Sequence, residues 1–174
     1  MCNSEEQNVN RNRNLARAIL LGSILWFCVL SQGPALGAFR AAIAVRDVTP
    51  DKLLPVSGGV GPSTPVTRKI GQLTVRALVL ENEGTRVAIC STDFLGFPSV
   101  LGNKVRSRVQ GIPPQNILIG ATHCHSAPDC YGFPDRNGKT GADIEYLDGI
   151  CAKLAEAINE AVENAAADRA EAAV

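Results

Sequence analysis

Residues 86–121 constrain the fold most. Arg86 to Thr92 (RVAICST) reads as a strand. Leu101, Val105 and Val109 follow at a spacing of four, a helical stripe facing a core, and Pro98 suits the first turn of that helix. Gly111 and Pro113-Pro114 stop it. Asn116 to Gly120 (NILIG) is then a short apolar strand, of the kind buried on both faces. A strand, a helix and a strand in this order form a crossover unit, and a parallel pair needs such a connection. The expected class is therefore α/β.

The flanking segments extend the same sheet. Ala41 to Val48 alternates loosely and ends at Thr49-Pro50-Asp51, as a strand stopped by proline. Leu73 to Leu80 (LTVRALVL) is a second strand, and Glu81 to Gly84 reads as a hairpin turn into Arg86. An antiparallel hairpin joined to a parallel crossover makes the sheet mixed. Between the first two strands, residues 53–69 hold three prolines and three glycines and read as a long loop, a length that more often serves function than not. Residues 126–141 form another loop. The last segment is helical: Leu147, Cys151, Leu154, Ile158 and Val162 share one face, while Glu156, Glu160 and Glu163 fall away from it.

Aromatics make up only 5% of residues against 45% apolar, so the core must be built from Ala, Val, Leu and Ile. The 17 basic and 17 acidic residues cancel, and no basic stripe points to nucleic acid. The first 38 residues read as a secretory signal: Arg11, Arg13 and Arg17 precede an uncharged apolar run from Ala18 to Leu30, followed by small residues around Ala35. That run is about 13 residues, short of the roughly 20 that span a bilayer, though an uncleaved anchor is the alternative. Export would place the chain in an oxidising compartment. Cys90, Cys124, Cys130 and Cys151 would remain in the mature chain, either paired in one of three ways or as free buried thiols.

The chemistry concentrates at Ala121 to Asp129 (ATHCHSAPD), which carries both histidines of the chain. His123 and His125 follow the buried strand at its carboxyl end, where open α/β sheets place ligands. In extended backbone they would point to one side, where two imidazoles suit zinc. A hydrogen-bonded pair with no further role is the plainer alternative. Asp93, at the carboxyl end of the neighbouring strand, would orient an imidazole or else cap the helix. Cys124 should point the other way and be buried or disulfide-bonded. Asp129 fits a turn better than a metal site.

Five blocks resemble, in order, the amino-terminal part of the neutral/alkaline non-lysosomal ceramidase family. They are Asp47-Val48-Thr49, the glycine-rich Val56 to Gly61, Arg76 to Leu80, Ser91-Thr92-Asp93-Phe94, and Ala121 to Pro128 in place of the family's Ala-Thr-His-Thr-His-Ser-Gly-Pro. The resemblance runs from about Ala42 to Ile158. It implies an exported zinc amidohydrolase that cleaves ceramide, or a similar lipid amide at a membrane surface, to sphingosine and a fatty acid. It implies that His123 is a zinc ligand, that His125 acts beside the metal and substrate, and that Gly58 and Gly59 line the site. Cys124 and Ala127 depart from the family's threonine and glycine. Family members are several times longer, and their remaining ligands, a histidine, a glutamate and a tyrosine, lie further on. No third histidine exists here. The expectation is therefore an incomplete mixed α/β sheet, the amino-terminal portion of a larger catalytic domain, with weak zinc affinity and little activity of its own. A different amide or ester substrate, an inactive binding module and a thiol enzyme centred on Cys124 are the competing functions.

Overall fold

The computed structural model describes residues 39–59 and 61–167. The expected signal peptide, and its boundary with the domain, lie outside the described residues.

Four strands form one mixed sheet in the order β1 (Arg40–Asp47), β2 (Thr74–Asn82), β3 (Thr85–Thr92), β4 (Ile117–Ala121). β1–β2 and β2–β3 are antiparallel and β3–β4 is parallel. The hairpin between β2 and β3 turns on Glu83 and Gly84 alone, with φ of 50° and 77°. Positive φ at both central residues matches the right-handed twist of paired strands, and glycine takes the second position without strain. Helix α1 (Ser99–Arg106) makes the crossover to β4, and α2 (Ile144–Ala166) follows the second long loop. The mixed α/β architecture expected from the sequence is the one observed. Among the described residues, no helix is long and apolar enough to cross a membrane.

Helix α2 packs on β1 and β2, and α1 packs on α2. The interface is built from small residues: Ala44, Ala77 and Ala88 of the sheet meet a helix whose buried face includes Ala155, Ala157, Ala161 and Ala165. Leu154 and Ile158, both fully buried, supply the bulk. Asp143 caps α2 by accepting from Tyr146 N–H at 3.0 Å. The Tyr146 hydroxyl donates to the Val48 carbonyl at 2.7 Å, which ties the start of α2 to the end of β1. Arg46 of β1 pairs with Glu160 of α2.

The other face of the sheet is open. Ile43, Leu78, Ile89 and Leu118 stand in one row across all four strands. Leu118 is 63% exposed and Ile43 65%. The expectation that β4 is buried on both faces is therefore corrected. An apolar run marks a strand between two layers, but among the described residues only one layer of helices covers the sheet.

Candidate active site

The histidines lie at the carboxyl ends of the parallel strands, as expected, but not in extended backbone. β4 ends at Ala121, and His123 takes a left-handed φ of 63°. Its neighbours show how this is held. Thr122 N–H donates to the Thr92 carbonyl at 2.9 Å, and Cys124 N–H donates to the Phe94 carbonyl at 3.0 Å. Both partners belong to the chain leaving β3, so the exit of β4 stays stitched to the exit of β3 while His123 bends between the stitches. A side chain in the left-handed region costs about 1–3 kcal/mol, and such residues gather at functional sites.

The two rings meet edge to face with centroids 4.7 Å apart. His123 Nδ1 lies 2.8 Å from the Leu95 carbonyl oxygen, and His125 Nδ1 lies 2.5 Å from the Gly58 carbonyl oxygen. A carbonyl only accepts, so each Nδ1 carries the proton. In its neutral form each imidazole then presents a bare Nε2 lone pair, the state required of a metal ligand or a general base. Both histidines are solvent-exposed, so this face is accessible.

Gly58 belongs to the site for a steric reason. A Cβ there would lie 1.9 Å from the His125 carbonyl oxygen, so only glycine lets the two segments touch. The approach is enforced by a small patch of strand-like pairing. Val56 bridges both Thr64 and Pro128, Ser57 N–H donates to the Ala127 carbonyl at 3.3 Å, and Asp129 N–H donates to the Pro55 carbonyl at 3.0 Å. Gly59 is exposed and has open space around it, so its place in the loop carries no such steric demand.

Asp93 has a different role from the one expected. Its carboxylate takes Thr74 N–H at 2.9 Å and the Thr74 hydroxyl at 2.8 Å, two Arg76 nitrogens at 3.0 and 3.1 Å, and the Thr122 hydroxyl at 3.3 Å. It orients no imidazole, and it does not cap α1, whose preceding residue is Pro98. It clamps the carboxyl end of β3 to β2 and to the residue before His123. Partial burial raises its pKa, but the Arg76 and Thr74 bonds outweigh this and leave it below the usual carboxylate range. The imidazole-orienting role falls instead to the carbonyls of Leu95 and Gly58, which sequence could not reveal because any residue supplies a carbonyl.

Asp129 is a turn residue, accepting from Tyr131 and Gly132 N–H groups at 2.9 and 3.0 Å. Cys90, Cys124, Cys130 and Cys151 are all free. Burial pushes the Cys90 thiol up to about 12 and also raises Cys130 and Cys151, so these three are packing groups with little thiolate at neutral pH. Cys124 is half-buried and packs against the core.

A test of the donor set for zinc gives a partial fit. Two imidazoles with correctly placed protons suit the metal, yet among the described residues no group of three or more His, Cys, Asp or Glu side chains comes together to hold an ion. A catalytic zinc takes three protein ligands as a rule. A cleft of about 430 Å³ lies beside the histidine loop and is lined by Cys124, Ser126 and Pro128 among others, but neither imidazole lines it.

No protein-family model and no curated protein matches the sequence. Solved structures do. A structure described as a ceramidase complexed with C2 superposes with a TM-score of 0.57 at 20% identity, over 74% of this chain and 21% of the other. A neutral ceramidase from Pseudomonas aeruginosa gives 0.50 at 20% identity, over 76% and 22%. The chain thus spans about a fifth of the length of the solved proteins it matches. The resemblance read from five short blocks extends to three dimensions: the fold of this chain is similar to part of the neutral ceramidase fold.

Proposed function

We propose that this chain carries the histidine part of an exported, zinc-dependent hydrolase of ceramidase type, acting on ceramide or a similar lipid amide. The observation that supports it best is the pair of Nδ1–H groups given to the Leu95 and Gly58 carbonyls, which leaves both Nε2 atoms free at the carboxyl end of a parallel strand pair. His123 would hold the metal through Nε2, fixed by its strained backbone. His125 would take a proton at Nε2 and return it to the leaving amine, with the Gly58 carbonyl stabilising the charged ring. Zinc, when bound, supplies Lewis acidity that polarises an amide carbonyl and makes water acidic near neutral pH. The partial donor set favours incompleteness: further ligands would come from outside the described residues, and the chain alone would bind zinc weakly and turn over slowly. The same observation favours, as a second reading, a module that binds without catalysis.

The test is a zinc titration of the full chain, followed by imidazole ¹⁵N NMR, with a ceramide-hydrolysis assay in parallel. Weak binding that shifts the Nε2 resonance of His123 and disappears in His123→Ala supports the reading. Shifts at Nδ1, or none at either ring, overturn it. Tight one-to-one binding abolished by His123→Ala would overturn the incompleteness and keep the metal site.

A further inference from the structure

We propose that the open face of the sheet is a self-association surface, on which a second copy of this chain packs face to face about a two-fold axis parallel to the strands. The face carries three successive rows of side chains. The middle row is Ile43, Leu78, Ile89 and Leu118. Ala41, Leu80 and Val87 align on one side of it, and Val45, Arg76, Ser91 and Gly120 on the other. Arg76 is the one charge in the three rows, and Asp93 already pairs with it at 3.0 Å. Such a face offers nothing to a nucleic acid or an anionic ligand. The rows also hold no lysine, tryptophan or tyrosine of the kind that seats a protein on a lipid surface. Their natural complement is another flat, uncharged, aliphatic face. Four strands at ~4.8 Å and three rows at ~7 Å make a flat footprint of roughly 400 Å², and side-chain relief raises the accessible area to about 600 Å². That is the top of what a monomer ordinarily leaves exposed in one apolar patch. Two such faces bury on the order of 1,200 Å² in total, the lower end of the range for stable, specific interfaces.

The order of large and small residues along each row chooses the axis. Rotation about the strand direction reverses every row onto itself. Ile43 then meets Leu118 of the second copy, and Leu78 meets Ile89. In the flanking rows Leu80 meets Val87, Val45 meets Gly120 and Arg76 meets Ser91. Each contact sets aliphatic on aliphatic or a longer side chain over a shorter one, and the one charge lies beside a hydroxyl that can accept from it. Rotation about an axis across the strands would lay one flanking row on the other. That arrangement sets Arg76 over Leu80, where the guanidinium loses water against an aliphatic chain. Stacked sheets lie about 10 Å apart with their strands within about 30° of each other, so the rows stay opposed near the centre. Ile43 and Leu118 belong to the two edge strands, so their contact lies at the solvated rim. The strand direction is preserved across this axis, which brings both histidine loops to one end of the pair. A small apolar interface gives a weak dimer, so in dilute solution the copies part and the face stands open. This inference is independent of the metal reading, since no imidazole belongs to the three rows.

Sedimentation equilibrium of the full chain in detergent-free buffer is the test. A reversible monomer–dimer equilibrium with a Kd on the order of 10 µM is expected. Ile43→Lys and Leu118→Asp should each raise the Kd by about tenfold or more with unchanged circular dichroism, because each change is met twice across the two-fold. Mixing the two variants in equal amounts should restore pairing to within about threefold of the parent affinity. The introduced charges of opposite sign then face each other at the rim, and the reciprocal contact keeps Ile43 on Leu118. Ile89→Thr, which suits a strand, should weaken the pair likewise and serves if a charge variant does not fold. A monomer at every concentration, association that the face variants leave unchanged, or charge variants that dissociate yet fail to pair when mixed would each overturn the proposal.

Discussion

The two faces of the sheet use similar residues to opposite ends. On the covered face, Val75, Ala77, Val79 and Ala88 are fully buried beneath the helices. On the open face, one residue away along the same strands, Ile43, Ile89 and Leu118 are 65%, 43% and 63% exposed. A strand turns alternate side chains to opposite faces, so the pleat assigns each residue to a face. It does not say whether anything covers that face. The helices are recruited by small side chains, which let α2 come close, while the open row is bulkier and, among the described residues, carries no layer upon it. Burying apolar area contributes roughly 25 cal/mol per Å², so the covered face stabilises this fold and the open one does little for it.

The sharpest test of that contrast is truncation beneath the helices. Leu154→Ala should cost about 2–5 kcal/mol, measured as a fall in urea midpoint at constant slope. A cost near zero would mean that α2 does not close the core. Gly58→Ala probes where the loops meet at the end of the sheet. The added methyl must push the His125 carbonyl away, and overpacking of this kind costs about 1–3 kcal/mol. It should also remove the Gly58 contact to His125 Nδ1, seen as loss of a single tautomer in the ring ¹⁵N spectrum.

Asp93 offers a pH-dependent test at the same end. Its folded pKa is lowered, so its contribution is fully present above the unfolded value of about 3.9 and is lost as pH falls through the folded value. Asp93→Asn should therefore cost about 1–2 kcal/mol at pH 6 by chemical denaturation, and the gap from the parent chain should close on acidification below pH ~4. A gap independent of pH would show that the charge is not what matters. The smallest effect belongs to the open face. Leu118→Ser should change stability by no more than about 0.5 kcal/mol while raising solubility, because it breaks a row of exposed aliphatics. If Leu118→Ser proved as damaging as Leu154→Ala, something would be covering that face in solution, and the contrast would fail.

Much of this was readable from residue order. The crossover from Arg86 to Ala121 followed from periodicity and the stripe on α2 from spacing, and the hairpin turn read at Glu81 to Gly84 from composition is tightened to Glu83-Gly84, with Glu81 and Asn82 in β2. The histidine pair was legible because histidine occurs nowhere else. Three features were not. Sequence placed His123 in extended backbone, but the stitches from Thr122 and Cys124 to the exit of β3 bend it into the left-handed region. It offered Asp93 either to an imidazole or to a helix cap, but Thr74 and Arg76, facing it from β2, take the carboxylate instead. It buried β4 on both faces, since an apolar run carries no record of how many layers surround it.

Sequence by itself determined the strand–helix–strand order, the mixed sheet and the position of His123 and His125 at a strand end, because these depend on periodicity and on local chain stiffness. Tertiary structure alone decided which ring nitrogen of each histidine faces a carbonyl and which is left open. It required the Leu95 carbonyl from the β3 exit and the Gly58 carbonyl, 67 residues away from His125, to meet the two rings. Backbone carbonyls are the same at every residue, so only the packing of distant segments could choose which of them would hold the imidazoles.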